Sequence, residues 1–228
     1  MRYDISDDTL DAVRAGADGQ ARTHEAGLDA QIDAQIDAET DAMRAGTWAL
    51  LGRLLADAPD GEMLARLAQA DSDGGRGDAL ALAWLRLAEA ARTAQADALQ
   101  REYQDVFVGV GGGQVTPYAS WYLTGTLLDR PLVQLRDDLQ ALGIARAEHC
   151  SEPEDHAAAV CEIMAFVLQD EDVDFDWQRE LFQRHVAGWM GRLFDDVAAA
   201  PSAAFYRAVA ALGRAFVDVE QRFYEMSA

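Results

Sequence analysis

The stretch SAAFYRAVAALGRAFVDVEQRFYEM, residues 202–226, decides the fold class of this chain. Its large apolar side chains recur at alternating steps of four and three residues, at Phe205, Val209, Leu212, Phe216, Val219 and Phe223. Such steps place side chains along one seam of an α-helix, whereas a half-buried strand would alternate apolar and polar residues. The stretch therefore predicts a long helix with one buried face.

The same spacing recurs along the chain and predicts an all-α bundle. Ala is the commonest residue, Pro occurs only five times, and β-branched runs are nearly absent, a composition that favours helix over strand. Further helices are predicted over about 25–57 as one long or broken helix, from near Pro153, over 181–197 before Pro201, and near 61–70, 79–92, 94–107 and 131–142.

Residues 1–40 differ from the remainder of the 228-residue chain. Leu28, Ile32 and Ile36 recur every four residues between acids and glutamines, so a helix there would have only a thin apolar stripe. We therefore expect an acidic N-terminal extension over 1–40, partly disordered or helical. A single all-helical domain is expected to follow over 41–228.

The charge of the chain is strongly one-sided. There are 40 Asp and Glu against 19 basic residues, all of them Arg, and the formal net charge is −21. This balance does not suit nucleic acid or anionic lipid, which need basic patches, but it suits a cationic partner. The acidic N-terminus lacks a signal-peptide core and no apolar run spans a bilayer, so we expect a cytoplasmic protein without stable membrane insertion.

A cluster of glycines precedes Gln114, at Gly109, Gly111, Gly112 and Gly113. A phosphate-binding P-loop would require Gly-Lys-Ser/Thr after a strand, but the chain has no Lys and the preceding segment is a predicted helix. The pattern favours a flexible loop between helices and leaves nucleotide binding open. The loop is also a candidate hinge for a domain-swapped dimer, with a monomer as the alternative.

Four residues, His149, Cys150, His156 and Cys161, carry side chains that can bind zinc. The two cysteines lack the close CxxC spacing of structural zinc sites, and Cys161 falls on an apolar helical stripe, where a free thiol behaves as a small hydrophobic group. A Cys–His nucleophile pair lacks an evident third group to orient it. We therefore predict no metal, no cofactor and no catalytic residue.

The sharpest local feature is the stretch SEPEDH, which begins at Ser151. Ser151 and Glu154 have capping-box spacing, and Pro153 suits the first turn of a helix. Helix initiation gives no reason for His156, because the positive end of the helix dipole opposes an imidazolium. We expect His156 to be neutral or to pair with Asp155.

Acidic and aromatic residues flank this feature. Residues 147–178 contain ten Asp or Glu and no Arg, which indicates either a solvated acidic surface or a docking site for a cationic segment. The stretch PYASWYLTG, which starts at Pro117, adds Tyr118, Trp121 and Tyr122. Their aromatic faces and polar tips suit either a groove or ordinary core packing.

Together these stretches resemble the TorD/DmsD/NarJ family, chaperones that mature molybdenum-containing oxidoreductases. The motifs that carry the resemblance are Glu102-Tyr103-x-x-Val106-Phe107-Val108-Gly109, Pro117-Tyr118-x-Ser120-x-Tyr122 and Glu152-Pro153-Glu154-Asp155-His156. In addition, FQRHVAGWMGRLFDDV (182–197) and FYRAVAALGRAFVDVE (205–220) look like the family's last two helices. The similarity covers about 45–226 and is greatest to the branch found with formate dehydrogenases.

The resemblance implies a TorD-like helical bundle without enzymatic activity. Family members bind the twin-arginine signal peptide of a partner enzyme, and some also bind the enzyme body, until the molybdopterin cofactor is inserted. The implied client is a formate dehydrogenase or another DMSO reductase-family enzyme. The signal-peptide-binding residues carried over from the family are Pro153, Asp155 and His156, with Tyr118 and Tyr122 as lining and Trp84 as a pocket residue.

Physical chemistry favours the same assignment. A twin-arginine signal joins an Arg pair to an apolar stretch, so binding it needs carboxylates for the guanidinium groups beside an apolar groove. Glu154 and Asp155 supply the carboxylates. We predict that Asp155 accepts from a signal-peptide Arg, and that His156 orients Asp155 or caps the hinge.

Other interpretations of the sequence remain open. Within the family, the chain would be a chaperone of the apoenzyme body that does not depend on the signal peptide. As an enzyme, it would be a nucleotide hydrolase that uses the glycine loop, or a metal-dependent hydrolase that uses His149, His156 and Cys150. As a structural adaptor, it would not prefer a twin-arginine peptide over a twin-lysine one.

Overall fold

The computed structural model describes residues 35–36, 38–70, 78–109, 112–145 and 152–226. It divides the chain into two compact units, Met1–Arg44 and Ala45–Ala228. The predicted tail and most of the Leu28-Ile32-Ile36 stripe lie outside the described residues. In the described part, regular structure is helical apart from one isolated β-bridge, and the all-α prediction is confirmed.

Residues 38–56 are helical, and the part at 45–56, which belongs to the second unit, is called α1. The following elements are α2 (Gly61–Ala68), α3 (Ala79–Thr93), α4 (Ala96–Tyr103), a π-helical turn (Gln104–Val108), α5 (Ala119–Thr124), α6 (Arg130–Ala141), α7 (Ala157–Val167), α8 (Phe175–His185), α9 (Met190–Ala199) and α10 (Phe205–Met226). Several acids begin these helices. The side chains that accept from first-turn N–H groups are Asp60 in α2, Asp78 in α3, Asp129 in α6 and Asp174 in α8.

Two predicted helix boundaries are wrong. The helix expected near Pro153 begins at Ala157, so Glu154 precedes the helix, and Ser151, the other residue of the predicted capping box, lies outside the described residues. The single helix predicted over 181–197 is broken between His185 and Met190 into α8 and α9.

The break after α8 has a local cause. The backbone of Val186 leaves the helical region, at φ −122° and ψ −57°. The indole Nε1 of Trp189 donates to the carbonyl of His185 at 2.6 Å, which satisfies an acceptor that the helix end would leave open. Apolar periodicity continues across this turn, so the sequence pattern alone predicts one helix.

The long helix α10 packs against α3 and α9 and forms the centre of the core. Its Gly213 lies under the ring of Phe194 from α9, so closely that a β-carbon would overlap the ring. The buried carboxylate of Glu220 accepts from Nε1 of Trp48 in α1 at 3.0 Å. Buried polar groups need such partners, because an unpaired one costs about 1–3 kcal/mol.

The Glu102-Tyr103 motif joins three parts of the bundle. Glu102 Oε1 accepts from the backbone N–H groups of Ala204 and Tyr206, at 2.7 and 2.8 Å, and so caps the start of α10. The hydroxyl of Tyr103 donates to the carbonyl of Ala56 at 2.8 Å, at the end of α1. Burial raises the pKa of Tyr103 to about 12, so this hydroxyl stays a donor.

The glycine cluster serves close backbone approach. Val115 N–H donates to the carbonyl of Val106 at 2.8 Å, which folds the chain back onto the π-helical turn. A β-carbon on Gly113 would lie 2.6 Å from the carbonyl oxygen of Phe107, and Gly109 has φ +51°. These positions need glycine for steric reasons.

None of the described helices is both long and apolar enough to span a lipid bilayer.

Candidate functional site

Backbone hydrogen bonds join the motif that starts at Pro117 to the motif that ends at His156. Ala157 N–H donates to the carbonyl of Pro117 at 2.8 Å, and Ala119 N–H donates to the carbonyl of Asp155 at 2.9 Å. These bonds flank the antiparallel bridge between Tyr118 and His156. The segment before α5 is therefore fixed to the segment before α7.

Asp155 is buried and caps the N-terminus of α5. One carboxylate oxygen, Oδ2, accepts from the backbone N–H of Ser120 at 3.0 Å and from the Ser120 hydroxyl. Because Tyr118, the N-cap of α5, makes no side-chain cap bond, Asp155 replaces that cap from a distant segment. The other oxygen, Oδ1, is buried and has no hydrogen-bond partner within the described parts of the chain.

His156 is the N-cap of α7. Its Nδ1 accepts from the backbone N–H of Ala158 at 3.2 Å, and its ring meets the Tyr118 ring edge-on at 4.9 Å between centroids. Burial lowers the pKa of His156, against the opposing effect of Glu152 and Asp155. The ring is therefore neutral, with Nδ1 as acceptor and the proton on Nε2, as a position at a helix N-terminus favours.

Glu154 forms an ion pair that the local sequence does not reveal. Arg136 of α6 approaches its Oε2 with Nη2 at 2.7 Å and Nε at 2.9 Å. The stretch 147–178 has no Arg of its own, yet the fold supplies one from another helix. This carboxylate thus already holds a guanidinium group.

A cavity of about 370 Å³ opens beside His156 and is called the Tyr118 cavity. Aromatic and small apolar side chains form most of its wall, and two carboxylates and one imidazole complete it. The lining residues are Ala56, Tyr103, Phe107, Val108, Pro117, Tyr118, Glu152, His156, Ala158, Ala159 and Glu162. Both carboxylates, Glu152 and Glu162, belong to exposed residues.

Tyr118 and Glu152 are linked across this cavity. The Tyr118 hydroxyl donates to Glu152 Oε2 at 2.6 Å, and burial followed by this bond raises the pKa of Tyr118. Of the predicted site residues, Tyr118 and His156 line the cavity, while Pro153, Glu154 and Asp155 lie in the turn that leads into it.

Tyr122 points to a different place. It lines a second hollow of about 540 Å³ with Trp121, Gly125, Arg192, Asp195 and Asp196, called the Trp121 hollow. The Tyr122 hydroxyl donates to Asp196 Oδ2 at 2.7 Å, and the guanidinium carbon of Arg192 lies 5.8 Å from the Tyr122 ring centroid. Burial raises the pKa of Tyr122. Tyr118, the N-cap of α5, and Tyr122, within α5, thus line separate hollows.

Trp84 is not part of either hollow. It lies on α3, partly buried against the core, and is absent from the lining of the Tyr118 cavity and the Trp121 hollow. Conversely, Glu162 and Ala56 line the Tyr118 cavity although the sequence pattern does not single them out. In the sequence, Glu162 is only one of the ten acids of residues 147–178, and nothing distinguishes Ala56 from the other alanines.

The side chains that can bind zinc are not assembled into a site in the described part of the chain. No group of three or more His, Cys, Asp or Glu side chains there is placed to hold a metal ion. Cys161 is fully buried in α7, and burial raises the pKa of its thiol, so it remains protonated. His149 and Cys150 lie outside the described residues.

Two comparisons with known proteins gave matches. The family model for the nitrate reductase delta subunit matches residues 75–195, slightly more than half of the chain. A crystal structure of a protein from Archaeoglobus fulgidus, described as a candidate redox enzyme maturation protein, is similar at 18% identity and a TM-score of 0.48. That similarity covers 78% of this chain and 94% of the other. No curated protein matches the sequence.

The matched region contains the whole Tyr118 cavity except Ala56. The match to this family model defines the class of the protein, an all-helical chaperone of redox-enzyme maturation. More particularly, the chain belongs to the nitrate reductase delta subunit family, of the NarJ/TorD type.

Proposed function

We propose that this protein is a cytoplasmic chaperone that binds the twin-arginine signal peptide of a molybdopterin oxidoreductase and holds the enzyme until its cofactor is inserted. The observation that carries the proposal is the Tyr118 cavity, where an apolar aromatic wall adjoins exposed carboxylates. A signal peptide has matching parts, an apolar stretch beside two guanidinium groups. A formate dehydrogenase or a related DMSO reductase-family enzyme is the proposed client.

The carboxylates divide the work in this proposal. Asp155 is only 1% exposed, so it acts as a positioning residue that holds α5 in place through Ser120. Glu152 and Glu162, at the cavity, accept the guanidinium groups of the peptide. Glu154 lies in the adjoining turn with Arg136, and Pro153 shapes that turn.

The apolar part of the peptide has room on both sides of α5. The Tyr118 cavity accepts apolar side chains against Phe107 and Val108. The Trp121 hollow, with Tyr122 in its wall and Trp121 46% exposed, offers a second aromatic surface beside α5. An extended peptide that crosses α5 would contact both hollows.

Calorimetric titration with a synthetic twin-arginine signal peptide from a formate dehydrogenase tests the proposal. Ala159 lines the cavity, so Ala159→Leu fills it and should weaken binding at least tenfold. The matched control is Ala199→Leu at the exposed end of α9, which adds the same side chain away from the cavity and should leave affinity unchanged. Equal affinities for both variants would remove the cavity from the site.

A second experiment tests the two carboxylates of the Tyr118 cavity against a matched control variant. Glu152→Lys with Glu162→Lys should weaken the twin-arginine peptide strongly. Glu171→Lys with Asp172→Lys makes the same change in net charge on exposed residues outside the cavity and should have a small effect that salt screens. A twin-lysine peptide should bind more weakly, because Lys lacks the planar guanidinium fork. Equal binding of both peptides would favour an adaptor.

A second candidate function follows from the matching family, whose description names a subunit of nitrate reductase. In that case the chaperone binds the enzyme body without the signal peptide. A pull-down with the client enzyme lacking its signal peptide separates the two functions. Retention of the truncated client would favour binding of the body, and loss would favour the signal peptide.

A further inference from the structure

A groove of about 430 Å³ lies where α3, α9 and α10 meet, and it shares the lining residue Asp195 of α9 with the Trp121 hollow. Three arginines line it, Arg86 of α3 and Arg207 and Arg214 of α10, against one acid, Asp195. We call it the arginine groove. Such a concentration of positive charge is unexpected in a chain with 40 acidic residues, 19 basic residues and a net charge of −21.

The floor of the arginine groove is small and apolar. Ala198 of α9 and Ala208 and Ala211 of α10 are partly exposed there. Arg207, Ala211 and Arg214 follow each other at steps of four and three residues, so they share one face of α10. Small side chains on such a face let another helix approach closely. The arginines would then flank that helix.

The three arginines differ in how far carboxylates of the chain neutralise them. Arg214 lies 3.4 Å from Asp195 and 3.2 Å from Asp218, in partly exposed pairs. Arg207 donates to the carbonyl of Ala198 at 3.2 Å. In the described part of the chain, neither Arg86 nor Arg207 has a carboxylate within 4.0 Å. Arg86 and Arg207 therefore keep their positive charge at the groove, whereas two carboxylates approach Arg214.

We propose that the arginine groove binds an amphipathic helix of a partner protein, one that carries small apolar side chains on one face and carboxylates beside them. The alanine floor fits the apolar face of such a helix, and guanidinium groups form bidentate hydrogen bonds with carboxylates. A cationic segment would be repelled by the three arginines. The partner is thus opposite in charge to the peptide of the Tyr118 cavity, and this inference does not depend on that site.

The probe is a fluorescent helical peptide of about 20 residues, long enough to be helical, built from Ala, Leu and Glu. Its twin has Gln at every Glu position. Fluorescence anisotropy should detect binding of the Glu peptide, with at least tenfold weaker binding of the Gln twin. The variant Arg86→Gln with Arg207→Gln should weaken the Glu peptide at least tenfold.

The control variant is Arg66→Gln with Arg222→Gln, which removes the same charge from exposed positions outside the groove and should change affinity less than twofold. A second variant, Ala208→Glu, places a carboxylate in the groove itself and should also abolish binding. Unfolding curves show whether each variant is folded. Absence of binding to the wild-type protein, equal affinity for the Gln twin, or equal loss in the control would overturn the proposal.

Discussion

The carboxylate of Asp155 accepts from the backbone N–H of Ser120 at 3.0 Å and also from the Ser120 hydroxyl. This contact joins two motifs 35 residues apart in sequence. It starts the short helix α5 and fixes the wall of the Tyr118 cavity. An acid that the sequence marks as a ligand for arginine is thereby committed to an internal bond.

Replacing this acid should destabilise the fold. Asp155→Ala removes the acceptor and leaves the N–H and hydroxyl of Ser120 buried without it, which should lower the free energy of unfolding by about 2–3 kcal/mol. Asp172→Ala, an exposed acid of the same stretch, should change it by less than about 0.5 kcal/mol. Urea unfolding measures both. Similar losses in the two variants would contradict the cap.

Two helix-interior glycines should respond to alanine with opposite signs. A β-carbon at Gly46 would meet no atom within 4 Å beyond its own helix backbone, so Gly46→Ala should stabilise the protein by about 1 kcal/mol through helix propensity. Gly213 lies under the Phe194 ring, so Gly213→Ala should destabilise it by about 1–3 kcal/mol through overpacking. Thermal unfolding compares them. Stabilisation by both substitutions would contradict the close packing of Gly213 against Phe194.

Stability should fall as the pH is lowered from 7.5 to 5.5. Burial lowers the pKa of His156 and of His185 in the folded protein, whereas in the unfolded chain both protonate near pH ~6.5. Below that pH the unfolded state binds more protons, so the free energy of unfolding decreases.

The variant His156→Asn isolates one of these two groups. Asn can still cap α7 but does not titrate, so the variant should lose less stability between pH 7.5 and 5.5 than the wild type does. Urea unfolding at both pH values gives the comparison. An unchanged loss would assign the pH dependence to other groups, with His185 the first to replace.

Two acid–arginine contacts should differ in their contribution to stability. Asp138 is largely buried and meets His185 Nε2 at 2.6 Å and Arg184 Nη1 at 2.9 Å. Asp138→Ala leaves a buried imidazole without its partner and should cost about 2 kcal/mol. Glu154→Ala breaks the pair with half-exposed Arg136 and should cost at most about 1 kcal/mol. Chemical denaturation of both variants tests the order, and a larger loss for Glu154→Ala would contradict it.

The sequence by itself determined the class of the fold. Helical spacing along α10 and scarce Pro sufficed to predict an all-α bundle, because the period of apolar residues reports which face each segment buries. The motifs around Tyr118 and Asp155 also identified the family. Sequence spacing failed where apolar periodicity crosses a turn, as between His185 and Met190. It also failed at the start of α7, which begins at Ala157 with His156 as its N-cap and not near Pro153.

Only the tertiary structure decided what each site residue does. Asp155 faces Ser120, Glu154 faces Arg136, and Tyr118 and Tyr122 serve separate hollows although they lie four residues apart. Ser120 and Arg136 are both distant in sequence from the acids that they contact. A carboxylate offers the same acceptors to an internal N–H, to an internal guanidinium and to a ligand, so the packing of distant helices selects among them.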